Sequence, residues 1–205
     1  MSDHDDQEDP ITVTTTAAPR PPALDAERAD LLATLATARA SLTTTARGLS
    51  GEQAVARPTV GALCLGGLIK HVASVEEAWT AFMTEGPSAM RHDLPDGVIR
   101  ADLAAGTARE IPQWAVDHRN DFRMLPGDTL DGILARYARV AAGTEEIVAS
   151  LPDLSAAHPL PEAPWHEPGA ARSERGVLAH LISETAQHAG HTDILRGTLD
   201  GRTSA

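Results

Sequence analysis

The sequence predicts an all-α protein, a four-helix bundle with long crossover connections. Three observations predict it. Four segments repeat apolar residues at spacings of three and four, no alternating strand pattern of convincing length appears, and two long Pro-containing connections separate the later segments. No solenoid repeat is visible. Residues 1–22, rich in Asp, Thr and Pro and without apolar periodicity, read as a disordered tail. Residues 23–201 read as one bundle domain and 202–205 as a short C-terminal tail. A chain of 205 residues that is 42% apolar can bury a sizeable core in one such domain.

The first helix is expected between Leu24 and Leu49, on Leu31, Leu32, Leu35 and Leu42, with a Thr run that weakens its C-terminal end. Gly51 to Gly61, with Pro58 inside it, reads as a connection. The second helix is expected from Leu63 to Glu85. Leu65, Leu68, Val72, Val75, Trp79 and Phe82 form its stripe, His71 lies on the same side, and Gly86-Pro87 ends it. Gly86 to Gly127 carries four prolines and predicts short helical turns; connections of this length tend to carry function. The third helix is expected from Thr129 to Leu151, capped by Asp128 or Thr129. After the Pro-rich stretch Pro152 to Arg172, Ser173 caps a fourth helix that ends between Gly197 and Gly201.

Charge and composition exclude several classes. A net charge of −12 argues against nucleic acid, which needs a basic surface. The apolar runs are shorter than the ~20 residues that span a bilayer, so no membrane partner is expected. The N-terminus is acidic where a signal peptide would be basic and then apolar, so a cytoplasmic location is expected. The single cysteine, Cys64, excludes an intrachain disulfide and a Cys-based zinc site. It reads as a small core residue, and the two helical turns to His71, ~10 Å, keep the pair from sharing an ion.

The fourth segment carries the chemistry. His180, Glu184, His188 and His191 fall at about 0°, 40°, 80° and 20° on a wheel of roughly 100° per residue, one narrow polar stripe. Val177, Leu181 and Leu195 fall inside or beside it, at about 60°, 100° and 60°. Burying imidazole and carboxylate together is costly unless they are paired or bound to a metal. Glu184 and His188, at i and i+4, stand ~6 Å apart at Cβ and can grip one ion, with His71 on the second helix as a third ligand. Three protein ligands with an open position suit catalytic zinc, and imidazole with carboxylate also suits nickel, iron or manganese. Spacing leaves other sets open: His188 with His191 and Glu184 as a base, His180 with Glu184, or a hydrogen-bonded polar core without metal. His92, His118, His158 and His166 read as surface histidines, Asp193 and Arg196 as a structural pair on the helix surface, and Trp79 and Trp165 as core or pocket wall.

The segment Ser173 to Gly201 follows the pattern H-x-x-x-E-x-x-x-H-x-G-H-x-D-x-x-R through His180, Glu184, His188, Gly190, His191, Asp193 and Arg196. Gly67 to Trp79 follows L-x-H-x-x-x-x-E-x-x-W through His71, Glu76 and Trp79. Both resemble the DinB-like superfamily, in the branch of the mini-circle proteins and the mycothiol-dependent enzymes. The resemblance runs in helix order from about Leu24 to Gly201 and is specific in these two segments. It implies a four-helix bundle with one divalent metal held by His71, Glu184 and His188, and no DNA-directed activity.

The function this implies is a metal-dependent S-transferase that joins a low-molecular-weight thiol such as mycothiol to a small electrophile. The metal would lower the thiol's pKa, and His191 and His180 would act in support, orienting ligands or moving a proton. The alternatives are metal-assisted hydrolysis and a non-catalytic metal- or small-molecule-binding bundle. Apolar faces left uncovered by short helices would favour a homodimer. The mycothiol-dependent isomerase of the superfamily has a further C-terminal domain at its active site, whereas this sequence ends soon after the fourth helix, so isomerase activity is not expected.

Overall fold

A computed structural model of the chain describes residues 25–90, 94, 96–97, 100–161 and 166–203. The tail at residues 1–22, His92 and Trp165 lie outside the described residues. Among the described residues there are seven α-helices and one two-stranded ribbon. Four long helices make the bundle: α1 (Ala26–Thr44), α3 (Leu65–Glu85), α6 (Leu130–Ser150) and α7 (Glu174–Asp200). Three short ones, α2 (Gly51–Val55), α4 (Arg100–Ala105) and α5 (Gln113–Asp121), and a 3₁₀ turn at Gly86–Met90 occupy the connections.

The caps follow local chemistry. Asp25, Thr129 and Ser173 each accept a bond from the backbone N–H three residues on, closing the first turns of α1, α6 and α7. Gly201, at φ 74°, ends α7 in the left-handed conformation that glycine adopts without strain.

Two boundaries differ from expectation. The first helix stops at Thr44, where Thr43 and Thr45 hydroxyls bond back to the carbonyls of Arg39 and Leu42 and Gly48 turns at φ 70°. The stretch expected as plain connection then starts α2, through a reciprocal capping box between Ser50 and Gln53. The second correction is a short antiparallel ribbon, β1 (Ala157–Pro159) with β2 (Ala171–Ser173), inside the segment expected to be irregular. Three residues a strand give no readable alternation.

Cross-contacts set the helix directions. Arg28, at the start of α1, donates to the carbonyls of Val148 and Leu151 at the end of α6, while Glu27 pairs with Arg175 at the start of α7. At the other end, Arg196 Nη1 donates to the carbonyls of Thr45 (2.6 Å) and Arg47 (3.0 Å). Hence α1 and α7 run together, and α3 and α6 run the other way. Only the connection from α3 to α6 travels the length of the bundle; the ribbon joins α6 to α7 at one end. Arg196 is also not on the helix surface, where spacing placed it. It is buried, with Nε 3.0 Å from both carboxylate oxygens of Asp200, because the loop after α1 leaves carbonyls that need a donor.

The core has two apolar clusters. One gathers Leu42, Leu65, Ile69, Val72, Ile133 and Tyr137; the other gathers Leu35, Trp79, Phe82, Val148, Leu178 and Leu181. Between them lies a buried polar layer. Arg39 of α1 pairs with Glu76 of α3, and Thr144 of α6 donates to Glu76 Oε1 at 2.7 Å. Cys64 is buried at the start of α3, as a small core residue.

Candidate metal centre and its cavity

On α7 the side chains that face the core centre are Val177, Leu178, Leu181, Thr185, Ala189, Thr192 and Leu195. The His–Glu stripe lies along the flank of that face and is half-buried. This resolves the misplaced polarity: the stripe borders a cavity of about 780 Å³ and is not sealed in the core. The cavity is bounded by α3, α5, α7 and the ribbon. Its lining includes His71, Trp79, His118, Phe122, His180, Glu184 and His188.

His71, one of the buried residues of α3, and Glu184 and His188, one turn apart on α7, meet at this wall. One potential ligand atom from each lies within 4.8 Å of the other two. His71 Nε2 is 3.4 Å, and His188 Nε2 3.1 Å, from the same oxygen, Glu184 Oε1. Bonds from His188 and then His71 hold the Glu184 carboxyl well below the usual carboxylate range, so it is ionised at neutral pH. Two imidazoles and a carboxylate converging from two helices are a donor set that fits a divalent cation. His71 Nδ1 is buried and has no hydrogen-bond partner among the described residues. Its ring is set instead by stacking on Phe122, 3.8 Å between centroids and 23° from parallel.

Phe122 owes its position to a glycine. A Cβ on Gly67, one turn before His71 on α3, would overlap the Phe122 carbonyl and come within 3.0 Å of Arg123 N. Only a bare helix surface lets the end of α5 approach so closely.

His180 and His191 separate. His180 lines the cavity, its ring 4.8 Å from that of Trp79. Burial, and then the neighbouring Arg172 charge, pushes its pKa down. His191 is not part of the lining; its Nδ1 stands 3.4 Å from His188 Nδ1, behind that ring. His188 and His191 approach each other only as a pair, whereas His71, Glu184 and His188 form the one group of three convergent ligands among the described residues.

Of the histidines expected at the surface, His118 is exposed as expected, although it borders the cavity, and His158 and His166 are half-buried. His118, on α5, lines the cavity 5.9 Å from His71, and burial, then the His71 charge, lowers its pKa. His166 also lines the cavity, its Nδ1 3.0 Å from the Pro161 carbonyl. His158 packs against Phe82, with Nε2 3.1 Å from the Met83 carbonyl and 3.5 Å from Glu174. The connection between α6 and α7 carries His158 and His166 against the bundle. Trp79 is both core and cavity wall. Phe122, Trp114 and Arg172 are cavity residues that sequence reasoning missed; only the length of the connections signalled them.

The all-α bundle of four long helices fits the DinB-like class. The mycothiol-S-transferase family model matches residues 30–201, and the chain belongs to that family, in the mycothiol branch of the DinB-like superfamily. No curated protein matches the chain significantly. Membership supports a mycothiol S-transferase-like function and a low-molecular-weight thiol partner. Among the described residues no helix is long and apolar enough to cross a membrane.

Proposed function

We propose that the chain is a divalent-metal-dependent S-transferase, joining mycothiol or a similar thiol to a small electrophile. The observation that carries this reading is the convergence of His71, Glu184 and His188 within 4.8 Å at a cavity of about 780 Å³, a volume typical of small-molecule sites. These three residues hold the ion, with zinc the best match to the donor set and nickel, iron or manganese also compatible. A divalent cation in this set lowers the pKa of a bound thiol, so that thiolate is available at neutral pH.

The protein's own groups do the rest. Glu184, already ionised, offers a carboxylate without a proton to displace. His191 fixes the orientation of the His188 ring through the Nδ1 pair, leaving Nε2 toward Glu184. His180, kept neutral by burial beside Trp79, accepts the thiol proton. Sulfur forms the new bond to the electrophilic carbon, and the proton departs with the leaving group, giving thioether and HX from RSH and R′X. Phe122, Trp114 and Trp79 wall the reaction space with apolar surface.

The test is elemental analysis of purified wild type beside His71→Ala and Glu184→Ala, followed by turnover with and without thiol. One metal ion per chain in the wild type and at least about tenfold less in the variants is expected. Equal metal in all three would sink the ligand set. Turnover unchanged without thiol would overturn the transferase reading in favour of hydrolysis.

A further inference from the structure

Arg172, in the middle of β2 opposite His158, is the single lysine or arginine among the described residues that line the cavity. Two contacts hold it in place. Its guanidinium carbon lies 4.5 Å above the Trp79 ring, and its Cγ is so close to α7 that a Cβ on Gly176 would stand 3.1 Å away. Such stacking fixes the plane of the guanidinium and leaves its N–H edge free for a planar acceptor.

Among the described residues that edge meets no acceptor at Nη1. Nη1 is buried without a hydrogen-bond partner, and Arg172 forms no ion pair among the described residues. The one carboxylate among the described residues of the cavity lining, Glu184, is engaged by His188 and His71. A buried donor with charge and no partner is costly in a finished site. It is economical in a site that receives an anion, because a carboxylate accepts two parallel N–H bonds from a guanidinium.

We infer that Arg172 is the anion subsite of this cavity and takes a carboxylate borne by the electrophilic co-substrate. A single guanidinium matches a monoanion better than a phosphate dianion. The apolar wall of Val75, Ala89, Met90, Trp114 and Phe122 accommodates an uncharged body attached to that carboxylate. His180 and Arg172 both meet the Trp79 ring, and both line the cavity with Glu184, so the carboxylate end and the reacting carbon share one cavity. The subsite stands on the geometry of Arg172 alone; its assignment to the electrophile rests on the transferase reading.

The test uses the full chain, freed of metal by a chelator, and calorimetric titration with phenylacetate and with its neutral analogue phenylacetamide. Wild type is expected to bind phenylacetate about tenfold or more tightly than the amide. Arg172→Gln removes that preference, and Arg172→Lys, which keeps the charge but not the planar fork, retains part of it. Circular-dichroism melting identifies a variant that has not folded, and the lysine variant then decides the outcome. No preference in the wild type, or a preference that survives in Arg172→Gln, overturns the subsite. A preference that appears only with added zinc and persists in Arg172→Gln puts the anion on the metal, which overturns this inference and leaves the transferase standing. Preference retained in a His71→Ala protein without metal supports the subsite even where the metal reading fails. In turnover, Arg172→Gln should raise KM for a carboxylate-bearing electrophile about tenfold and leave its uncharged ester unchanged. A rise in the thiol's KM instead would overturn the assignment to the electrophile.

Discussion

At the scale of single residues, the cavity histidines couple this fold to acid. His180 and His118 both have pKa values lowered chiefly by burial, with Arg172 and His71 respectively adding to it. A histidine with a depressed folded pKa binds fewer protons in the native than in the unfolded state. Its contribution is therefore complete above the unfolded value of about 6.5 and declines as pH falls below it. Glu184 is depressed as well, by His188 and His71, so its contribution persists to lower pH and is lost as pH falls through its own folded pKa. The metal-free protein should lose stability in two steps on acidification, the histidine step first. Urea titrations at intervals from neutral to acid pH check this. The His118→Gln/His180→Gln variant should show a shallower first step, and parallel wild-type and variant curves would remove these rings from the account. The same residues mark what the sequence disclosed of the site. Helix faces made His71, Glu184 and His188 legible as candidates beside His180 and His191, and the resemblance to the DinB-like superfamily, not spacing, selected the three. His118, Phe122 and Arg172 reach the cavity from connections, where no period relates position in the chain to direction in space.

At the scale of elements, the junction of α3 with α5 shows how much depends on one missing side chain. In an exposed helix interior, replacing glycine by alanine stabilises by roughly 1 kcal/mol. Gly67→Ala should instead destabilise, by about 1–3 kcal/mol, because the new methyl meets the Phe122 backbone, which cannot swing aside. Gly66→Ala should cost less, since the atom it meets first is the end of the flexible Met124 side chain. Chemical denaturation of both variants measures the difference, and the sign at Gly67 separates close packing from propensity. Displacing Phe122 should also loosen the His71 ring and reduce metal retention. The four long helices were legible because each repeats apolar residues over five or more turns and because Thr129 and Ser173 are strong caps. The weakening of the first helix near Thr44 was legible in its Thr run, but the one-turn helix α2 and the three-residue strands were not. They depend on side chains bonding back to the backbone and on pairing between distant segments, and neither leaves a period.

At the scale of the whole molecule, the two apolar clusters are joined by a polar layer that local reasoning would not place in a bundle core. Arg39, Glu76 and Thr144 bring α1, α3 and α6 together, and Thr185 is buried on α7 between Leu181 and Ala189. Glu76 is fully buried, and of its partners only Arg39 is charged, with Glu145 as a half-exposed second partner of that arginine. Such a pair adds little net stability over apolar packing, yet removing one member leaves the other charge stranded, a cost of about 3–5 kcal/mol. Glu76→Ala should therefore lower the melting temperature by roughly 6–20 °C for a domain of this size. Replacing the layer together, Arg39→Met/Glu76→Leu/Thr144→Val, removes the charge and the acceptor at once and should recover most of that loss. Thermal melts of the two proteins decide it. If the triple variant is as unstable as the single one, the layer contributes net energy to the fold. If it recovers, the layer's contribution is the alignment of α3 against α1 and α6, and because His71 rides on α3, the recovered protein should bind less metal per chain than wild type.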